Sequence, residues 1–183
     1  MRIALFVDGN NVYGMEKNLG WRIDMKKMLD FASLDGNLVD AQYFIAKKDE
    51  TTQNYLSILA RFGYSIVQKQ AKTDPVTGKV YKANMDIEMS SAIILGMPTY
   101  DKAVLVTGDG DFGCLVSILR NHGKMVSVIN TESRTDNRFR TCLGMHFIEI
   151  IEHRSELEHI YKADEGTTTT EEMADFEIPD TSE

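Results

Sequence analysis

Short unbroken apolar runs alternate with stretches of helical spacing along the whole chain. Residues 3–7 and 102–107 are nearly continuous Val, Ile, Leu, Ala and Phe, which predicts strands buried on both faces, and residues 124–129 read as another strand. Residues 38–45, 64–68 and 147–150 read as further strands. Helical spacing predicts helices over 11–19 after a turn at Gly9, and over 24–31. A third is predicted up to Phe62, capped by Asp49 or Thr51 and ended by Gly63. Asn84 caps a fourth helix that runs to Leu95 and stops at Gly96 and Pro98. Asp111 caps a fifth, over 111–121, and residues 135–142 and 153–161 read as two more. Residues 70–82 hold Pro75, Gly78 and three Lys, the composition of an exposed basic loop or hairpin. Apolar strands alternating with helices define an α/β protein whose parallel sheet is covered on both faces.

Length and charge change this picture only at one end. The 183 residues fit one domain plus an appendage: a domain over 1–163 and an acidic, disordered tail over 164–183. The tail carries eight acids and no Lys or Arg, and the net charge is −8. Residues 1–163 are therefore neutral, which argues against strong nonspecific steering of a polyanion but not against a local anion site. Few apolar residues in the tail make it dispensable for folding. No apolar run reaches the length of a membrane span. The start is charged too soon for a signal peptide and reads as a strand. The two cysteines, Cys114 and Cys142, are expected as buried thiols in a cytoplasmic protein.

Chemistry concentrates at three separated motifs: Phe6-Val7-Asp8-Gly9-Asn10-Asn11, Lys82-Ala83-Asn84-Met85-Asp86 and Thr107-Gly108-Asp109-Gly110-Asp111-Phe112. Two follow predicted strands and one opens a helix. Strand carboxyl ends in a parallel sheet share one crevice, so Asp8, Asp86, Asp109 and Asp111 are expected to converge there. Unpaired carboxylates are costly to gather, whereas a hard divalent cation such as Mg2+ or Mn2+ prefers such oxygen donors. Singly, each Asp also suits an ordinary turn or helix cap. Asn11 and Thr107 supply neutral groups that could hold these carboxylates or a bound water. Ser90 shares the Asp86 face at i+4, while Glu88 at i+2 is turned about 200° away. Lys72, Lys79 and Lys82 before the helix, with Arg134 and Arg138 after the fifth strand, are candidates for phosphate contacts. Tyr13 and Tyr81 are candidates for base stacking, and Phe112 is read as core. A haloacid-dehalogenase type phosphatase would want a second Asp two residues after Asp8, where this chain has Asn10.

Taken together in order, the three motifs resemble the NYN domain of the PIN-like nuclease superfamily, and within it the bacterial LabA-like group. The resemblance covers roughly residues 2–150. It implies a PIN-like Rossmannoid fold, three layers α/β/α with a mainly parallel central sheet of about five strands. It also implies ribonuclease activity or RNA processing with a divalent metal, Asp8, Asp86, Asp109 and Asp111 being the metal-binding and catalytic acids and Asn11 lying beside them. RNA, single-stranded by preference, is the implied partner. A non-catalytic RNA-binding or regulatory module is the alternative. A homodimer is compatible with the chain but rests on no motif. The chain departs from the group at Ala92, where relatives often have a further acid, and at Met145-His146, where many have Ala-Asp.

Overall fold

The structure is a computed structural model, which describes residues 1–47, 51–70, 72–73, 80–81, 84–137, 139 and 147–160. Half of the predicted helix over 135–142 lies outside these residues, and the acidic tail entirely so.

The central sheet is built from β1 (Arg2–Asp8), β2 (Asn37–Lys47), β3 (Ser65–Gln70), β6 (Lys102–Val106), β7 (Met125–Asn130) and β8 (Phe147–Glu149). Its spatial order is β3-β2-β1-β6-β7-β8, and every neighbouring pair is parallel. The sheet thus has six strands, not five, because the short run 147–149 pairs fully with β7 as an edge strand. A separate antiparallel pair, β4 (Lys72–Thr73) and β5 (Val80–Tyr81), gives the basic segment a hairpin frame.

Strand alternation divides the core into two layers. Ile3, Leu5 and Val7 of β1 pack with residues of α1 (Gly9–Leu19), α2 (Met25–Ala32) and α3 (Thr51–Phe62). Ala4 and Phe6 point the other way, into a cluster with Met85, Met89 and Ile93 of the α4 segment (Asp86–Gly96) and Leu115, Val116 and Leu119 of α5 (Gly113–Asn121). This is the three-layer arrangement that uninterrupted apolar strands require.

Several boundaries differ from expectation for local reasons. No loop separates β1 from α1. Asp8 itself caps the helix, its carboxylate accepting from the backbone N–H of Asn10 and Asn11. Met85, not Asn84, occupies the cap position of α4, and Asn84 instead accepts from the Asp86 N–H one residue further on. Before α5, Asp109 rather than Asp111 is the capping carboxylate. It starts a 3-10 turn, Gly110–Phe112, that runs into the helix. The last helix shrinks to α6 (Arg154–Leu157), because the next residue, Glu158, bridges to Ile23. Cys114 is exposed rather than buried: α5 buries Leu115, Val116 and Leu119, leaving Cys114 on the outer face.

Helix α1 also carries a polar group that the sequence did not flag. The Glu16 carboxylate accepts from the Ile23 N–H at 2.8 Å, tying down the chain that turns at Gly20. Burial raises its pKa to about 7, against the opposing effects of that hydrogen bond and the Arg22 charge. A raised folded-state pKa favours folding fully below the unfolded value near 4.5, and that contribution is lost as pH rises through 7. Glu16→Gln, which keeps the acceptor oxygen, should therefore stabilise the protein at pH 8 by on the order of 1–2 kcal/mol and have little effect near pH 4.5. Denaturant midpoints at the two pH values check this, and equal shifts at both would contradict it.

Candidate metal centre

The chain leaves β1 toward β2 and β3 on one side, then returns through α4 to β6 on the other. The strand order therefore switches between β1 and β6, where α/β sheets open a ligand crevice at their carboxyl ends. Val7 pairs with Val106, and Val106 with Ile129. One residue further along each strand come Asp8, Thr107 and Asn130, which form one row across the switch point.

Three carboxylates meet above this row. Oxygens of Asp86, Asp109 and Asp111 all lie within 4.8 Å of one another. Asp86 comes from the first turn of α4, and Asp109 and Asp111 from the turn after β6. Asp8 lies outside that group of three but close enough for its pKa to feel Asp86. It is buried and accepts three hydrogen bonds: Asn10 N–H at 3.0 Å, Asn11 N–H at 3.3 Å and the Asn11 side-chain amide at 2.6 Å. Burial still outweighs these bonds and raises its pKa, with Asp86 adding to the rise. The Asp86 carboxyl is raised as well, first by burial and then by the charges of Asp109, Asp111 and Glu88, against a 2.6 Å hydrogen bond from Asn84. A cleft that makes the Asp8 and Asp86 carboxylates harder to ionise suits a cation with oxygen preference.

Neighbouring groups hold the two sides of the crevice together. Asn11 donates to Asp8 and accepts from the Gly108 N–H at 3.1 Å, joining the ends of β1 and β6 through one side chain. Thr107 is fully buried and its hydroxyl accepts from the Asp109 N–H. Asp109 accepts from the Asp111 N–H at 2.9 Å, which sets the spacing of the two acids. Ser90 sits half-buried one turn beyond Asp86. Glu88 pairs with Lys69 on β3 at 2.6 Å and so is engaged away from the group of three. Phe112 is core, 2% exposed.

Two contributors escaped the sequence reading. Asn84 orients Asp86 directly. Asn130 ends β7 as Asp8 ends β1, and it is 1% exposed with its side-chain nitrogen unpartnered among the described residues. A polar residue closing a third apolar run was the available signal. A Cβ at Gly108 would stand 2.3 Å from that nitrogen and 2.4 Å from the Arg134 carbonyl oxygen. Gly108→Ala should therefore cost about 1–3 kcal/mol through overpacking, read as a fall in the urea midpoint. A variant as stable as wild type would show that the Thr131–Asp136 segment yields freely.

Of the proposed phosphate-binding residues, Arg134 is exposed beside the crevice. Lys72 lies in the β4–β5 hairpin, paired with Tyr81. Lys79, Lys82 and Arg138 fall outside the described residues.

A parallel six-stranded Rossmann-like sheet with an acidic cluster at its switch point is an α/β architecture that could hold a metal ion. The NYN domain family model matches residues 2–151, and the chain belongs to that family. NYN domains are PIN-like, generally ribonucleases that act on RNA with divalent metals. The chain is 29% identical over 164 residues to the Low amplitude and bright protein LabA of Synechococcus elongatus, covering 86% of this chain and 88% of that one. A crystal structure of a protein of unknown function from Vibrio parahaemolyticus has the same fold. It superposes with a TM-score of 0.70 at 27% identity, over 81% of this chain and 92% of that one. Among the described residues no helix is long and apolar enough to cross a membrane.

Proposed function

We propose that the protein is a metal-dependent ribonuclease that hydrolyses phosphodiester bonds of single-stranded RNA. The observation that carries this reading is the meeting of Asp86, Asp109 and Asp111 within 4.8 Å at the sheet's switch point. Their all-oxygen donor set fits Mg2+ or Mn2+. When bound, such an ion stabilises charge on a phosphate oxygen and makes an attacking water more acidic.

The chain's own groups do the rest. Asp109 and Asp111 would hold the ion from one turn, their separation set by the Asp111 N–H donating to the Asp109 carboxylate. Asp8 adds a fourth charge from the end of β1, held in orientation by Asn11. Asp86, whose pKa is raised by burial, is suited to take a proton from the attacking water. Water adds to phosphorus, the bond to the 3′ oxygen breaks, and solvent returns a proton to that oxygen. The products are a 5′ phosphate and a 3′ hydroxyl. Asn11, Thr107 and Ser90 position the acids. Arg134 and Arg138, with Lys72, Lys79 and Lys82, are assigned to the RNA backbone. An RNA substrate goes with a cytoplasmic protein.

Ala92 favours one alternative, a non-catalytic RNA-binding module, because it offers no donor where relatives often carry an acid. Incubating the full chain with a pool of unstructured RNAs in Mn2+, Mg2+ or EDTA separates the two. Fragmentation that EDTA abolishes is the expected result. Intact RNA in every condition, with RNA binding retained, would favour the module.

A further inference from the structure

We infer that Arg134 and Gly14 form a phosphate clamp that holds the RNA strand beside the acidic cleft. The inference rests on reading that cleft as an RNA site and adds where the strand runs. Arg134 straddles the switch point. Its carbonyl oxygen is pressed against Gly108, one residue from Asp109, so that a Cβ there would approach it to 2.4 Å. Its side chain reaches the other way, onto helix α1. A Cβ at Gly14 would lie 2.4 Å from Nη2 and 2.9 Å from Cζ of Arg134. The guanidinium therefore packs against the helix at Gly14, in space that a larger side chain would take from it.

Three further observations give this contact a function. Gly14 has an ordinary helical backbone, with no positive φ, so its own conformation does not call for glycine, and glycine in a helix interior costs about 1 kcal/mol relative to Ala. Arg134 is exposed and has no carboxylate partner among the described residues. Ser133 donates to the Asn18 side chain at 3.2 Å, pinning the same turn to the same helix face one turn on. An exposed Arg that no carboxylate engages among the described residues keeps its planar fork of donors open to an anion. Gly14 is six residues from Asp8, about 9 Å along the helix axis. That spacing places the clamp on a phosphate flanking the scissile one. The adjoining stripe of α1 carries Tyr13 with Lys17 over its ring at 5.8 Å, a surface on which a neighbouring base can stack.

The test is binding of a fluorescein-labelled, unstructured RNA 20-mer to the full chain in EDTA, followed by anisotropy. EDTA keeps the substrate intact. Arg134→Ala should weaken binding roughly ten-fold and lower the salt slope by about 0.7. Arg134→Lys should recover only part of the loss, since the planar fork is missing. Gly14→Ala should weaken binding about three-fold while its melting temperature holds or rises, because the Cβ displaces a flexible guanidinium and improves helix propensity. In an Arg134→Ala background, Gly14→Ala should change nothing. Wild-type affinity in both single variants, or additive losses in the double variant, would overturn the clamp, as would a wild type that does not bind the RNA. Arg134-dependent binding without cleavage in Mn2+ would support the clamp and sink the nuclease reading.

Discussion

Asp109→Asn is expected to lower metal-dependent RNA cleavage by at least about 100-fold while the protein stays folded. The two halves of that outcome have separate causes. Asp109 accepts the Asp111 N–H and so caps the turn that leads into α5. Asn is about as good a cap as Asp and keeps the accepting oxygen, so the turn should survive. Asn is a poorer donor to a hard cation and removes one of the three charges that meet within 4.8 Å. Initial cleavage rates in Mn2+ and a thermal melt of each protein read the two halves. A variant that cuts within about two-fold of wild type would remove Asp109 from the machinery, because losing even an outer support of a metal ligand costs about ten-fold or more.

The second large effect is on stability. In the absence of a cation, Asp8 and Asp86 are both held above the ordinary carboxylate range by burial. Raised folded pKa values mean that these groups favour the fold below about pH 4 and oppose it as pH rises through their folded values. Near neutrality the ionised cleft therefore works against folding, and a divalent cation should relieve it. At a hundred times its dissociation constant, a ligand that binds only the folded state adds about 2.7 kcal/mol. For a chain of this length that is a rise of roughly 5–10 °C in melting temperature. Melts at pH 7.5 in EDTA and in increasing Mn2+ should show this rise. Asp8→Asn/Asp109→Asn should already melt higher than wild type in EDTA and gain little from the metal. A double variant that gains as much as wild type would place the bound cation elsewhere.

Much of this site could be read from residues alone because each acid follows a signal of its own. Asp8 closes five apolar residues, Asp109 sits between glycines after another such run, and Asp86 opens a helix. Parallel topology then gives them a common edge, and the family model across residues 2–151 agrees. Where the reading fell short, the deciding contacts join distant parts of the chain. Asn11 is expected to hold a carboxylate, as it does at Asp8, yet its link to Gly108 spans 97 positions and exists only once β1 and β6 are paired. The closeness of Arg134 to Gly14 depends on a turn after β7 folding back over α1, which no local pattern encodes. Capping was misplaced by two residues at Asp111, because Asp-x-Asp offers two equivalent carboxylates and the 3-10 geometry of the turn selects the first. The edge strand β8 is only three residues long; residues 147–150 read as a strand, and its pairing with β7 makes it the sixth strand that the expected count of about five left out.

The most direct test of the account is the chemistry of the ends left on RNA after incubation with the full chain in Mn2+. Hydrolysis by water at a carboxylate-held metal site leaves 5′ phosphates and 3′ hydroxyls. The fragments should then ligate to a 3′ hydroxyl adaptor without kinase treatment, and EDTA or Asp109→Asn should abolish them. Fragments with 2′,3′-cyclic phosphates and 5′ hydroxyls, formed equally in EDTA, would contradict the proposed role of Asp86, Asp109 and Asp111.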